Sequence, residues 1–242
     1  MKPKVLIVCA PGSNRHQDLA QAFLMAGAEA HMITINHLHT SRMSWSDFHL
    51  LALPGGFSYA DTLGAGHLWA LELNAYFADQ LHSFVDSNKP VIGICNGFQA
   101  LLKSGLLTDK NRATLSFNVQ HQFSCRWVHI KAQSKTCLWT KNLSEPIIYC
   151  PIAHGEGRFL LADDKGYQHL VSRDQIAFSY LDNPNGSTAD IAGLCNAQGN
   201  VLGLMPHPEN HLFNYQHPRM SRGEHGLSAL ALFKNGVDFM RQ

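Results

Sequence analysis

The first hundred residues alternate short unbroken apolar runs with longer segments whose apolar positions recur every three or four residues. Residues 5–10 form the first run and predict a buried strand. The turn after it leads into a helix over residues 17–26, ended by Gly27. Residues 31–35 and 49–54 predict the second and third strands, the latter running into Gly55-Gly56. A long helix follows over residues 65–87, with Leu68, Leu71, Ala75, Ala78, Leu81 and Val85 on one face. Asn88-Lys89-Pro90 stops it. Residues 90–94 predict a fourth strand, and residues 97–104 a further helix closed by Gly105. Strands and helices in this order, with short connections, imply right-handed crossovers and a parallel sheet covered on both faces.

The second half changes period. Residues 123–132 and 146–149 read as extended, and Pro184-Asn185-Gly186 as a turn. Residues 191–196 and 200–205 flank Ala197-Gln198-Gly199 and predict a hairpin with a short glycine-containing loop. Residues 226–240 predict a closing helix through Leu227, Leu230, Ala231, Phe233 and Val237. No internal repeat or low-complexity linker appears. The expected architecture is one α/β domain over residues 1–242, a mostly parallel sheet with helices on both faces and an antiparallel C-terminal elaboration.

Composition agrees with a packed fold: 45% of the 242 residues are hydrophobic and 15% charged. The formal net charge is +1 and no run of five like charges occurs, which argues against a nucleic-acid or membrane surface held by bulk electrostatics. The basic start, Met1-Lys2-Pro3-Lys4, precedes an apolar run of only six residues, shorter than the roughly 7–15 of a secretion signal. Nothing approaches the roughly 18 consecutive apolar residues of a membrane span. A soluble, cytoplasmic protein is expected. The six cysteines include no Cys-x-x-Cys pair, so reduced and mostly buried thiols are expected, Cys9 and Cys195 inert among them. The 15 histidines show no His-Glu-x-x-His or finger spacing, so no metal site is expected.

In parallel sheets ligands bind beyond the carboxyl ends of the strands, which draws attention to Gly55-Gly56-Phe57 and Cys95-Asn96-Gly97. Gly93-Ile94-Cys95-Asn96-Gly97 has the spacing of a nucleophile elbow, with cysteine as the nucleophile. Glycines two residues either side let the turn stay tight without side chains striking the neighbouring backbone. The helix beginning after Cys95 directs its N-terminus at the thiol and favours thiolate, and the Asn96 N–H can donate to an oxyanion. On this pattern alone, a core cysteine in a tight turn is as good a reading. Met205-Pro206-His207-Pro208-Glu209, just past a strand, supplies a base and its orienter: across an extended Pro208, His207 and Glu209 would project to one side. Together the two segments suggest a Cys–His–Glu triad.

Several segments carry a resemblance. They are Pro11-Gly12-Ser13-Asn14, Leu53-Pro54-Gly55-Gly56-Phe57-Ser58-Tyr59, Gly93-Ile94-Cys95-Asn96-Gly97-Phe98-Gln99, Phe123-Ser124-Cys125-Arg126, Pro151-Ile152-Ala153-His154-Gly155-Glu156-Gly157, Asn185-Gly186-Ser187 and residues 199–209. On these the chain resembles the class I (triad-type) glutamine amidotransferases, flavodoxin-like in fold. Within them it is similar to the branch of glutaminase subunits of phosphoribosylformylglycinamidine synthase. The resemblance implies Cys95 as nucleophile, His207 as base and then acid, and Glu209 as orienter. It implies an oxyanion hole from the Gly56 and Asn96 N–H groups, and glutamine contacts at Phe57, Gln99, Asn185, Gly186 and Ser187. It implies L-glutamine as substrate, a γ-glutamyl thioester, and ammonia passed to a large ATP-dependent synthetase subunit of purine biosynthesis. No cofactor is expected on this chain, ATP and Mg belonging to that partner. The resemblance also leaves room for a small bridging subunit.

The sequence departs from the family pattern at Ala60, where glycine is usual, and at Gly64, where arginine is common. Arg15-His16 replace a cysteine and an acidic residue, and Asn210 replaces an arginine. His154 and Glu156 could form a second acid–base pair, although a structural or partner-facing loop is the stronger reading, and Arg126 serves either packing or anion contact. Three other assignments stay open: the glutaminase of another amidotransferase complex, a silent regulatory subunit of the same fold, and a thiol hydrolase such as a peptidase. The intact triad opposes the silent subunit, and Asn96-to-Gln99 with the Asn185 loop opposes the peptidase.

Overall fold

The computed structural model describes residues 1–41, 43–108, 112–141, 143–224 and 229–241. In chain order the elements are β1 (Lys4–Cys9), α1 (His16–Met25), β2 (Glu29–Thr34), α2 (Ile35–Thr40), β3 (Leu50–Leu53), α3 (His67–Tyr76), α4 (Ala78–Asp86), β4 (Val91–Ile94) and α5 (Asn96–Ser104). They continue with β5 (Ala113–Ser116), β6 (Ser124–Ala132), β7 (Ile147–His154), β8 (Arg158–Leu161), α6 (Asp164–Ser172), β9 (Ile176–Tyr180), β10 (Ile191–Cys195), β11 (Val201–Leu204) and α7 (Leu230–Phe239).

Nine strands form one sheet in the order β2-β1-β3-β4-β11-β10-β9-β6-β7, and β5 pairs with β8 apart from it. β2, β1, β3, β4 and β11 run parallel, and each later neighbour pairs antiparallel. The expected parallel sheet with an antiparallel elaboration is therefore present. The parallel strands β1, β3, β4 and β11 are apolar and buried along nearly their whole length, as strands covered on both faces must be. Successive strands step one way from β1 to β2 and the other way from β3 to β4. Right-handed crossovers then put α1 on one face and α3 on the other. α7 joins α1, where Phe23 meets Phe233 edge-on at 5.4 Å, and α5 joins α3.

The hairpin expected around 197–199 forms, as β10 against β11. The long helix expected over 65–87 is two helices. Phe77 breaks it at φ −131°, ψ 16° and turns its ring into the core against His39 and Trp45. Aromatic burial outweighs one turn of helix there. α2 was not expected; Thr34 caps it, its Oγ1 accepting the His37 N–H at 3.2 Å. The closing helix begins at Leu230, the expected residues 226–228 lying outside the described ones.

The far end of the sheet matters for the site. Its edge strand β7 curls back beside the segment that leaves β11: the His207 N–H donates to the Pro151 carbonyl at 2.8 Å, and His211 Nδ1 meets the Tyr149 carbonyl at 2.6 Å. Strands distant in sheet order are thereby brought side by side. Among the described residues no helix is long and apolar enough to cross a membrane.

Candidate active site

Cys95 is the residue between β4 and α5, held at φ 53°, ψ −107°, a conformation that side chains rarely adopt. Its N–H donates to the Leu204 carbonyl at 2.7 Å and its carbonyl takes the Gln99 N–H at 3.0 Å, so the β11 end and the first helical turn fix it. The two elbow glycines are required by contact. A Cβ on Gly93 would stand 2.6 Å from the Gly97 carbonyl oxygen, and one on Gly97 would stand 2.1 Å from that of Leu53. The sulfur lies 3.8 Å from the Ala153 carbonyl of β7.

His207 leaves β11 and faces this sulfur across Gly55. A Cβ on Gly55 would lie 2.7 Å from His207 Cε1 and 3.5 Å from the Cys95 Cβ, so this glycine keeps the space between the two side chains clear. His207 Nδ1 bonds Glu209 Oε1 at 2.6 Å, and its Nε2 is buried with no hydrogen-bond partner among the described residues. Relative exposures of 5%, 3% and 1% for Cys95, His207 and Glu209 put the three in a nearly dry environment. The pairing arises differently from the sequence expectation. Pro208–Asn210 is a 3-10 turn rather than extended chain, and the turn brings the carboxylate under the ring.

Burial alone would lower the His207 pKa. The Glu209 carboxylate, then the Cys95 sulfur, together with the hydrogen bond to Glu209, outweigh that and raise it to about 10. Protonation of His207 is thereby favoured.

Gly56 lies opposite Ser13, the two chains joined by Asn14 N–H to the Gly55 carbonyl and Phe57 N–H to the Gly12 carbonyl. In this pairing the Gly56 N–H is left over, as is that of Asn96 in the first helical turn. The Asn96 side chain is fully buried, accepting the Ser58 N–H at 3.0 Å and donating to Asp61 at 3.1 Å and Gln99 at 3.0 Å. Phe57 is 45% exposed at the mouth, its ring 6.2 Å from that of Phe123.

Other expected glutamine contacts are less open. The Gln99 amide joins Asn96 to the Glu156 carbonyl, which it meets at 2.7 Å. Asn185 donates to the Gly157 carbonyl and accepts from Ser187, whose Oγ also takes the Phe159 N–H. These side chains brace the turn after β7, and Gly186, at φ 79°, shapes the loop. His154 is buried against Asn118 Oδ1 at 3.0 Å, and burial, then His207 and Arg126, lower its pKa to about 3. Glu156 Oε2 takes the Ala65 N–H at 3.2 Å. The two brace the turn rather than pairing with one another. Sequence reading drew attention to Gly55 without giving it a role and passed over Asp61, for which a lone acid in Ser58-Tyr59-Ala60-Asp61 was the available signal. Cys9, pushed up to about 11 by burial, and Cys195, raised by its hydrogen bond to Cys137 and by burial, are both buried free thiols held toward the neutral form.

This arrangement has relatives. A family model described as the CobB/CobQ-like glutamine amidotransferase domain matches residues 2–240. Phosphoribosylformylglycinamidine synthase subunit PurQ of Treponema denticola is 44% identical, the match covering 99% of this chain and all of that one. The chain belongs to the PurQ family of glutamine amidotransferases. PurQ of a Methanococcus maripaludis strain is 38% identical over the full length of both. The solved structure of PurLQS from Thermotoga maritima contains a chain with TM-score 0.81 and 31% identity, matched over 99% of this chain and 100% of that one.

Within this amidotransferase the departures from the family pattern have local partners. Asp18 Oδ2 receives both Arg15, at 3.2 Å, and Asn210, at 3.0 Å, so two of the departures meet at one carboxylate. Ala60 adopts φ 54°, which accounts for the glycine usual there. Beside Gly64 stands the Lys103 ammonium, 3.6 Å from where a Cβ would be, so a cation is present without arginine.

Proposed function

We propose that Cys95, His207 and Glu209 hydrolyse the side-chain amide of glutamine, and that the chain, a single domain over residues 1–242, delivers the ammonia to an ATP-dependent synthetase subunit of phosphoribosylformylglycinamidine synthase. The observation that carries this reading is the buried His207, bonded to Glu209 at 2.6 Å with its bare Nε2 on the side of Cys95. The thiolate attacks the amide carbon, and the oxygen of the tetrahedral intermediate takes the Gly56 and Asn96 N–H groups. The imidazolium gives its proton to the departing nitrogen, ammonia leaves, and a γ-glutamyl thioester remains. Neutral His207 then removes a proton from water, which attacks the thioester. Glutamate leaves and the thiolate returns.

Phe57 is the group most open to glutamine, while Gln99, Asn185, Gly186 and Ser187 hold the surrounding turns, the Gly186 N–H bonded to Asn183 and its carbonyl to Arg158. ATP chemistry belongs to the partner in this reading. Exposed Phe57, Phe117, Val119 and Phe123 give the partner an apolar rim to cover. The strained backbone of Cys95 speaks against a silent subunit, because a turn without a nucleophile has no use for it.

The test is Cys95→Ala in the complex with the synthetase. Glutamine-dependent synthesis should vanish while ammonia-dependent synthesis continues. Retained glutamine hydrolysis would sink the assignment.

A further inference from the structure

Residues 58–66, between β3 and α3, hold a concentration of left-handed backbone. Tyr59, Ala60 and Asp61 have φ of 54°, 54° and 53°, and Leu63 follows at 63°. Residues with a Cβ avoid this region because the Cβ crowds the next carbonyl oxygen. Such strain persists only where the surroundings over-determine it. Here the Ser58 N–H is tied to Asn96 at 3.0 Å, the Tyr59 N–H to the Pro11 carbonyl at 2.8 Å, and the Tyr59 hydroxyl to Glu72.

The segment directs one carboxylate inward. Asp61 Oδ1 accepts from Asn96 Nδ2 at 3.1 Å, and the same nitrogen donates to Gln99 Oε1 at 3.0 Å. Gln99 Nε2 continues to the Glu156 carbonyl, Glu156 Oε2 takes the Ala65 N–H, and the Ala65 carbonyl takes Lys103 Nζ at 2.5 Å. The chain of bonds thus returns to its own segment after passing through the first turn of α5. Burial, then Glu156, raises the Asp61 pKa to about 6 against the opposing pull of the Asn96 bond and Lys103. An unfavourable backbone and an unfavourable charge therefore converge on one hydrogen bond, to the residue beside the nucleophile.

We propose that Asp61 is a positioning residue for the glutaminase reaction: its carboxylate fixes the Asn96 side chain and so aims the Asn96 N–H at the oxyanion. The inference rests on the reading of Cys95 as nucleophile. Loss of Asp61 weakens a donor that acts in the transition state, so it lowers kcat. It leaves the bonds of Gln99 and the His207–Glu209 pair in place, so glutamine binding and thiol reactivity persist.

The experiment compares Asp61→Ala and Asp61→Asn with the wild type, each assembled with the synthetase. For Asp61→Ala we expect kcat for glutamine hydrolysis to fall at least about tenfold, with KM changed less than about threefold. Alkylation of Cys95 by iodoacetamide should stay within about twofold of wild type. Asp61→Asn, whose amide oxygen still accepts from Asn96, should recover kcat to within about threefold. If Asp61→Ala does not assemble, Asp61→Ser, too short to reach Asn96, carries the same expectation; failure of both to assemble would mark Asp61 as structural and overturn the proposal. An unchanged kcat, a parallel fall in kcat and alkylation, or an asparagine variant as poor as alanine would each overturn it too. A wild-type complex that consumes no glutamine would instead overturn the reading of the site itself.

Discussion

Gly97 lies against Leu53 so closely that a Cβ added to it would stand 2.1 Å from the Leu53 carbonyl oxygen. The contact is between backbones of the elbow helix and the third strand, so neither side can yield by rotating a side chain. Gly97→Ala should therefore destabilise the fold by about 1–3 kcal/mol and displace Cys95 from the turn. Urea unfolding and a glutaminase assay read the two effects; an unaltered midpoint would show that α5 can move away freely.

Glu209 raises the pKa of His207, and that sets a pH dependence of stability. The raised value means that the folded protein holds the proton more tightly than the unfolded chain, whose imidazole titrates near 6.5. The stabilisation is complete below that pH and is lost as pH rises through about 10. Glu209→Gln, which removes the largest raising contribution, should lower stability by about 2 kcal/mol near neutrality. The gap should narrow as pH rises from 6.5 to about 10. The same variant should lower kcat roughly 10²–10⁴-fold. A gap in melting temperature that stays constant to pH 10 would contradict this account.

Ala60, at φ 54°, is under strain that glycine would not feel. Ala60→Gly relieves the Cβ clash but gives the unfolded chain more freedom, for a net gain of about 0.5–1 kcal/mol. Thermal unfolding should show a higher midpoint, with glutaminase kcat unchanged because the Asp61–Asn96 bond is kept. A lower midpoint would mean that the left-handed turn is not strained in solution.

Phe123 is half exposed and packs only loosely against Phe57. If this rim is covered by the synthetase, Phe123→Asp should weaken assembly by about tenfold or more in Kd while the melting temperature of the isolated chain stays put. Titration of the labelled synthetase measures it; undiminished affinity would place the docking surface elsewhere.

Local sequence was sufficient where one segment carries both shape and chemistry. The apolar run of β4, the Gly93 and Gly97 spacing and the helix after Cys95 all lie within residues 91–104, so the elbow could be read directly. The hairpin around residues 197–199 was legible for the same reason. Phe77 was not: its place on the apolar face suits a continuous helix, and only the pocket formed by His39 and Trp45 draws the ring inward and breaks the helix.

The sequence by itself determined the fold class and the elbow turn, and singled out Cys95, His207 and Glu209 as candidates. Tertiary structure alone decided what surrounds them. Gly55 keeps the space between Cys95 and His207, although it is 40 residues from one and 152 from the other. β7 lies beside Cys95 and His207 because the antiparallel end of the sheet curls back on the segment that leaves β11. Asp61 reaches Asn96 only because three residues hold a backbone conformation that their side chains disfavour. Periodicity reports burial along one element, whereas these contacts join elements far apart in the chain, and no local pattern encodes which distant backbone or carboxylate will meet.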